Sequence, residues 1–122
     1  MKNTKRVIVI NEDADNIPTN AVSSNESHFL DVKVNVENGD AYLNFSSRLA
    51  MYDFARSLLH EAVYGYGGQM EFYALEADKK LLVVNGVRMS LSSSRLFVFY
   101  DDSSFKEIDD EHTNGLQRGR VQ

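Results

Sequence analysis

An alternating stretch at residues 30–45 constrains the fold more than any other part of the chain. Apolar and polar residues alternate in the sequence FLDVKVNVE, and they do so again in DAYLNFS. Alternation with a period of two is typical of a strand with one buried face. Between the two stretches lies Asn38-Gly39, and both residues tolerate the positive φ angles of a tight turn. The sequence therefore predicts a β-hairpin. The apolar face of its first strand consists of Leu30, Val32, Val34 and Val36.

A helix is predicted directly after the hairpin, over about residues 47–64. Ser46 or Ser47 can cap it, because a short hydroxyl accepts a hydrogen bond from a free backbone N–H group. Apolar residues then recur at three- and four-residue steps, which places them on one helix face. The residues expected to face the sheet are Met51, Phe54, Ala55, Leu58, Leu59 and Ala62. The polar residues expected to face solvent or a partner are Asp53, Arg56, His60 and Glu61.

Further strands are predicted on both sides of this unit. They occupy KRVIVI near the N-terminus, and QMEFYALEAD, LLVV, VRMSL and RLFVFYD after the helix. Antiparallel strands with one long helix give an α+β fold. We expect a mostly antiparallel sheet of about five or six strands with the main helix packed on one face. The strand at residues 96–100 is apolar on both faces, so either it is central or its second face meets a partner.

The length of 122 residues fits one domain. We expect a core over about residues 28–101, an N-terminal strand and polar loop over residues 1–27, and an acidic tail over residues 102–122. The chain contains no cysteine, which excludes disulfides and thiolate metal sites. The apolar run near the N-terminus is too short for a signal peptide or a membrane span. We therefore expect a cytoplasmic protein that does not bind membranes.

The formal net charge is −5, and most of it lies at the two ends of the predicted core. Residues 11–27 carry a net charge of −4 and residues 101–122 carry −3. A nucleic-acid-binding protein needs a basic face to offset the charge of the phosphates, and the sequence offers none. We expect no nucleic-acid partner. The acidic surface favours a basic protein partner or serves solubility alone.

Three of the seven glycines lie at the end of the predicted helix, in the sequence YGYGG at residues 64–68. Phosphate-binding loops precede a helix, whereas these glycines follow one, and the carbonyl groups at a helix C-terminus repel phosphate. We interpret the glycines as a helix end and a turn, with Gly65 in the left-handed conformation. Tyr66 either packs over the sheet edge or serves as an aromatic anchor at an interface.

Two short motifs suggest catalysis only at first sight. His60-Glu61 is half of a zinc-protease motif, but the position of the second histidine is occupied by Tyr64. The serine run at residues 92–94 lacks the context of an activated nucleophile and is interpreted as a polar turn. We therefore expect no metal, no cofactor and no enzymatic activity.

An acidic segment with apolar residues follows the last predicted strand. It is either a solvated tail or a segment that enters the basic active-site cleft of a partner, where carboxylates replace the phosphates of a substrate. In the second interpretation, aromatic side chains anchor the contact and carboxylates supply the charge. The partner-binding residues in this hypothesis are Tyr66, Asp101, Asp102, Phe105, Asp109, Asp110 and Glu111.

The order of these elements resembles that of the small α+β immunity proteins of bacterial polymorphic-toxin and contact-dependent inhibition systems. The resembling parts are the hairpin VKVNVENGDAYLNFSS, the helix ARSLLHEAVYG and the closing strands that end in SSSRLFVFYD. They lie within residues 29–101, and none of their residues is a family signature. The resemblance implies a non-enzymatic inhibitor that binds a cognate toxin domain in the cytoplasm and occludes its active site.

Two other functional classes fit the same sequence. An anti-defence inhibitor from a phage or mobile element would have the same size, acidity and lack of catalytic motifs. A self-assembling structural or regulatory protein would bury the two-sided apolar strand at residues 96–100 against a second copy, as a homodimer for example.

Overall fold

The computed structural model describes residues 7–101 and the backbone of residues 116–118. It confirms an α+β fold with one main helix. The helices are α1 (Asn20–Ser24) and α2 (Arg48–Tyr64). The strands are β1 (Ile8–Ile10), β2 (Leu30–Val34), β3 (Ala41–Phe45), β4 (Gln69–Phe72), β5 (Leu75–Ala77), β6 (Lys80–Val84), β7 (Val87–Arg88), β8 (Leu96–Phe99) and β9 (Leu116–Arg118).

The strands form several small sheets, most of them antiparallel. β2 pairs with β3, β4 pairs with β8, and β5, β6 and β7 form a three-stranded meander. Backbone contacts also connect β2 to the segment after β7, where Ser90 donates to the Leu30 carbonyl and Ser94 donates to the Val32 carbonyl. The strand predicted over residues 69–78 is divided into β4 and β5, so its two halves pair with different partners.

One of the two predicted two-residue turns is present, and the other connection is longer than predicted. The turn between β2 and β3 contains Gly39 with φ +79°, and the turn between β6 and β7 contains Asn85 with φ +52° and Gly86 with φ +87°. Two positive φ angles in succession match the twist of the flanking strands, which is why Asn-Gly predicts such hairpins. Between β2 and β3 only Gly39 has a positive φ, and Asn35 pairs with Asp40. A four-residue loop, residues 36–39, therefore replaces the two-residue turn predicted at Asn38-Gly39.

The core lies between α2 and the inner faces of the sheets. Phe54 of α2 packs between two aromatic rings, with centroid distances of 5.5 Å to Phe45 and 5.0 Å to Phe72. Full burial of a phenylalanine contributes about 1.5–3 kcal/mol, so this row of rings is a main source of stability. The buried core residues are Leu30, Val32, Phe54, Met70, Phe72, Val87 and Met89.

The predicted orientation of α2 is only partly right. Phe54 is buried and Leu58 packs against the core, but Met51, Ala55 and Ala62 are exposed. The polar residues Asp53 and Arg56, which were expected to face solvent, are buried instead. The expectation fails because the segment before α1 covers this side of the helix. The apolar periodicity of α2 indicates the face that packs against the sheets. It gives no information about polar contacts on another face of the helix.

The segment predicted as a long N-terminal loop contains a short helix. Thr19 caps α1, since its hydroxyl accepts a hydrogen bond from Val22 N at 3.4 Å. Val22 is fully buried. Further along the chain, the backbone of Leu116–Arg118, within the predicted acidic tail, forms β9 and pairs in parallel with β1.

The end of α2 differs from the expectation for Gly65. This residue is the helix C-cap, with φ −74° and ψ 159°, so the prediction of a left-handed conformation was wrong. Its N–H donates to the Glu61 carbonyl at 2.8 Å, and a Cβ atom at position 65 would lie 2.6 Å from that oxygen. Glycine is therefore required at position 65 because the Glu61 carbonyl oxygen lies too close for a side chain. Gly68, with φ +81°, makes the turn instead.

Gly86 gives the first testable prediction. A Cβ atom there would lie 2.9 Å from Ile17 Cγ2 and 3.0 Å from Ser57 Cβ, and its φ of +87° disfavours any other residue. We expect Gly86→Ala to lower the free energy of unfolding by about 2–4 kcal/mol, from backbone strain together with overpacking. Chemical denaturation measures this loss.

The matched control is Gly39→Ala in the other hairpin. Gly39 has φ +79°, and no atom lies within 4 Å of the added carbon. We expect this variant to show the backbone strain alone, about 1–2 kcal/mol. Equal losses in the two variants would show that Ile17 and Ser57 do not restrict the turn.

Candidate protein-binding site

The two strands β4 and β8 present one apolar face to the core and a different face to solvent. Their antiparallel register pairs Gln69 with Phe99 and Glu71 with Phe97. Successive side chains of a strand point to opposite faces, so these four residues share the outer face. The residues Gln69, Glu71, Arg95, Phe97 and Phe99 are called the aromatic face below.

The two sides of the last strand lie in different surroundings among the described residues. Leu96 and Val98 are half-buried and pack against the core, as the alternation predicts. Phe97 and Phe99 point outward and retain 44% and 68% of their accessible surface. Their rings are stacked, with centroids 6.4 Å apart and an interplanar angle of 12°. β8 is therefore covered on one side only by the described residues.

Arg95 contacts one of the two phenyl rings and is held in place by three groups. It forms a salt bridge with Glu71, and its guanidinium lies 5.6 Å from the Tyr73 ring centroid and 5.2 Å from the Phe97 ring centroid. Contacts of a guanidinium with aromatic rings are attractive and fix the side chain. The arginine side chain is still 60% exposed. The aromatic face thus combines two exposed phenyl rings with an ordered ion pair.

Two residues proposed from the sequence lie at one end of the aromatic face. Tyr100 N donates to the Gly68 carbonyl at 3.0 Å, which extends the pairing of β4 and β8 by one step. This bond brings the glycine-rich loop and the end of β8 together. Tyr66, in that loop, is 95% exposed, and Asp101, directly after Tyr100, is also exposed. The structure therefore supports an accessible position for both residues.

The other proposed partner-binding residues lie outside the described part of the chain. They are Asp102, Phe105, Asp109, Asp110 and Glu111. The acidic segment to which they belong follows β8 and Asp101 directly in the sequence. Its position relative to a partner stays a prediction.

The sequence carries a signal for the aromatic face in the spacing of residues along β8. Arg95, Phe97, Phe99 and Asp101 alternate along one side of β8. Their common face could be predicted from this spacing. Which side of the strand would be exposed could not, because that depends on where α2 packs.

The histidine and glutamate of the incomplete zinc motif make structural contacts. His60 Nε2 lies 2.7 Å from the Glu12 carbonyl oxygen, and Glu61 accepts a 2.7 Å hydrogen bond from the Tyr100 hydroxyl. Across the described residues, no cluster of three potential ligands could hold a metal ion. Both side chains therefore connect α2 to neighbouring segments.

The serine run after β7 also makes structural contacts. Ser93 Oγ accepts a 2.7 Å hydrogen bond from Val32 N, and Ser90 and Ser92 donate to the Asp31 carboxylate at 2.6 and 3.4 Å. These bonds hold the segment after β7 against β2. The polar turn predicted here thus has a defined role in joining two sheets.

A cavity of about 450 Å³ lies between α2, the N-terminal segment and the β6–β7 turn. Ser57, one of the polar residues that line it, donates to the Phe54 carbonyl at 2.8 Å, and His60 has the contact described above. Its remaining walls include Ile17, Pro18 and Met70. Its size suits a small ligand, but the polar contacts of Ser57 and His60 are explained by the fold itself, and we assign it no reaction.

No helix in the described part of the chain has the length and apolar character needed to cross a membrane. Comparison with protein-family models, with curated proteins and with solved structures gives no match to this chain. The functional assignment therefore depends on the geometry of the surface itself.

Proposed function

We propose that this protein is a non-enzymatic binding module that neutralises a bacterial toxin, as an immunity protein does. In this proposal the aromatic face contacts the toxin, and the complex occludes the toxin's active site. The observation that carries the proposal is the exposed, stacked pair Phe97 and Phe99 on the outer side of a strand whose inner side packs into the core.

The two phenyl rings have the properties of interface anchors. Fully burying a phenylalanine side chain contributes about 1.5–3 kcal/mol, and Phe97 and Phe99 still have roughly half of that gain available. Both side chains are held by their strand and by stacking on each other. Binding therefore costs little side-chain conformational entropy. Phenylalanine and arginine are enriched in protein interfaces, and Arg95 lies against the Phe97 ring.

Charge supports a basic partner. The Glu71–Arg95 pair is neutral as a unit, whereas residues 101–122, which follow β8 directly, carry a net charge of −3. An acidic segment at one end of an apolar face accelerates association with a basic surface and makes binding sensitive to salt. We therefore propose a basic toxin or effector domain as the partner, bound in the cytoplasm without a cofactor. Asp101 and the acidic residues after it supply the charge, and Tyr66 and Phe105 are further anchors.

The test is capture of the partner by a tagged chain from a lysate of the source cells, read by mass spectrometry. Three baits are compared: the wild type, the double variant Phe97→Ser with Phe99→Ser, and Leu91→Ser. Leu91 is 64% exposed, close to the 68% of Phe99, but it lies outside the aromatic face. It therefore controls for the loss of an exposed apolar side chain.

We expect the wild type and Leu91→Ser to retain one basic protein in equal amount, and to lose it at high salt. The double variant should bind that protein roughly 10- to 100-fold more weakly, since each half-exposed phenyl ring gains about 0.75–1.5 kcal/mol from the burial still available to it. Capture of that protein by all three baits alike would exclude the aromatic face. Recovery of the chain alone would contradict the inhibitor proposal and favour self-assembly.

A further inference from the structure

Strand β3 has an open edge that is unusually free of protective features. It pairs with β2 on one side, and no strand of the described residues pairs with its other side. Its sequence, AYLNF, contains neither a charged residue nor proline, and Tyr42 and Leu43 are 48% and 41% exposed. Exposed sheet edges normally carry charges, proline or a bulge that prevents pairing with another strand. The open edge of β3 therefore lacks the features that prevent pairing with a further strand.

The hydrogen-bond pattern of the hairpin shows which backbone groups of β3 are open. Ser46 N donates to the Phe29 carbonyl, and Asn35 N donates to the Asp40 carbonyl, so these pairs are hydrogen-bonded. Hydrogen-bonded and non-hydrogen-bonded pairs alternate along an antiparallel ladder. Tyr42 and Asn44, which lie opposite Lys33 and Asp31, therefore point their backbone groups toward β2. The backbone N–H and C=O groups of Ala41, Leu43 and Phe45 point to the free edge.

We propose that β3 is a homodimer interface, in which a second copy of the chain adds its own β3 in antiparallel orientation about a two-fold axis at Leu43. This register sets Leu43 opposite the second copy's Leu43, and Ala41 opposite the second copy's Phe45. All edge-facing groups of one copy then meet edge-facing groups of the other. An interface built from the same patch on both copies is the commonest form of dimer.

Charge complementarity selects a second copy of this chain as the occupant. Continuing the register beyond β3 sets Asp40 opposite the second copy's Ser46, at the start of its α2. The hairpin turn carries Glu37 and Asp40, whereas the opposite end of the strand leads to the exposed Arg48 and the N-terminus of a 17-residue helix. A helix N-terminus carries a partial positive charge. Acidic residues of one copy therefore lie near the positive end of α2 of the other copy at both ends of the proposed interface. No two like charges face each other between these ends.

The resulting four-stranded sheet also continues an apolar surface. Val34 is half-exposed and lies beside Ala41 in the β2–β3 register, on the same face as Leu43. Pairing of two hairpins brings both copies of Leu43 to the centre of this face. The dimer interface lies on a different sheet from the aromatic face, so its test does not require the toxin.

The test is the molar mass in solution, measured by size-exclusion chromatography with light scattering over a concentration series. The wild type is expected at twice the chain mass of 13.8 kDa. Leu43→Lys and Leu43→Glu are each expected at 13.8 kDa, because like charges meet at the two-fold axis. An equimolar mixture of these two variants is expected to regain the doubled mass, since opposite charges then meet. This recovery also shows that both variants are folded.

Two control variants separate β3 from other surfaces. Val36→Lys adds a charge on the same hairpin but beyond the paired strand, and it should leave the doubled mass unchanged. The double variant Phe97→Ser with Phe99→Ser should also stay dimeric. A monomeric wild type at all concentrations, a mixture that stays monomeric, or dissociation caused by the Phe97 and Phe99 changes would each overturn the proposal.

Discussion

Replacing Asp53 with alanine is expected to lower the free energy of unfolding by about 3–5 kcal/mol, because it leaves a buried arginine without its counter-charge. Asp53 is fully buried and lies 2.9 Å from Arg56 Nη2. Its other carboxylate oxygen accepts hydrogen bonds from Thr19 N at 2.9 Å and from the Thr19 hydroxyl at 3.0 Å. One side chain therefore joins α2 to the start of α1.

The neighbouring contacts make this position harder to replace. Arg56 also donates to the Asn16 carbonyl, and its Nε atom has no hydrogen-bond partner among the described residues. Without Asp53, the guanidinium would be left with one backbone acceptor on Nη2 and a nearby aromatic ring at Tyr52. Burial of a charged group with so few partners is costly. We expect the segment around Asn16 and Thr19 to detach from the helix.

Equilibrium denaturation in urea measures the loss, and two variants serve as controls. Glu76→Ala removes an exposed carboxylate and should change the free energy of unfolding by no more than about 0.5 kcal/mol. The double variant Asp53→Leu with Arg56→Met removes both charges and should lose less than Asp53→Ala alone, because no charge is left unpaired. A loss below about 1 kcal/mol for Asp53→Ala would contradict the assigned role of the ion pair.

The second large effect is expected at Arg88, where methionine should lower the free energy of unfolding by about 3–5 kcal/mol. Arg88 is almost fully buried. Its guanidinium donates to the Leu81 carbonyl at 2.9 Å and to the carbonyls of Val22, Asn25 and His28 at 2.9, 2.9 and 3.2 Å. Among the described residues it forms no salt bridge. It satisfies carbonyl groups at and after the end of α1 and holds them against β7.

Methionine retains most of the volume of arginine but donates no hydrogen bond. Each carbonyl left without a partner costs about 1–3 kcal/mol when it stays buried. Denaturation gives the total loss, and amide hydrogen exchange of residues 20–28 locates it, since protection there should fall more than in α2. Lys80→Met, at an exposed cationic residue outside both proposed interfaces, should cost less than about 0.5 kcal/mol. Unchanged protection of residues 20–28 would show that Arg88 does not hold this segment.

The elements that were predicted from the sequence are those that depend on local signals. The hairpin of β2 and β3, the Asn85-Gly86 turn and the helix α2 follow from hydrophobic period, turn chemistry and capping within a few residues. Asp53, Arg56 and Arg88 are different, because each also bonds the backbone of a residue that lies between 34 and 66 positions away along the chain. No pattern within α2 or β7 indicates that a distant segment will cover these side chains.

The site was predictable to a similar degree. Alternation along β8 identifies Phe97 and Phe99 as one face, and the glycine-rich sequence identifies Tyr66 as a loop residue. The choice of the exposed face required the packing of α2, since the two sides of β8 are equally apolar in sequence. The proximity of the glycine-rich loop to Asp101 required the pairing of β4 with β8, which are separated by more than twenty residues.

Neutralisation of a toxic protein through the aromatic face is tested most directly by growth of cells that express the captured partner. The partner is expressed with the wild-type chain, with the Phe97→Ser and Phe99→Ser double variant, or with Leu91→Ser. We expect growth arrest by the partner alone, full rescue by the wild type and by Leu91→Ser, and no rescue by the double variant. Arrest that persists with the wild type, or rescue by the double variant equal to that by the wild type, would contradict the account.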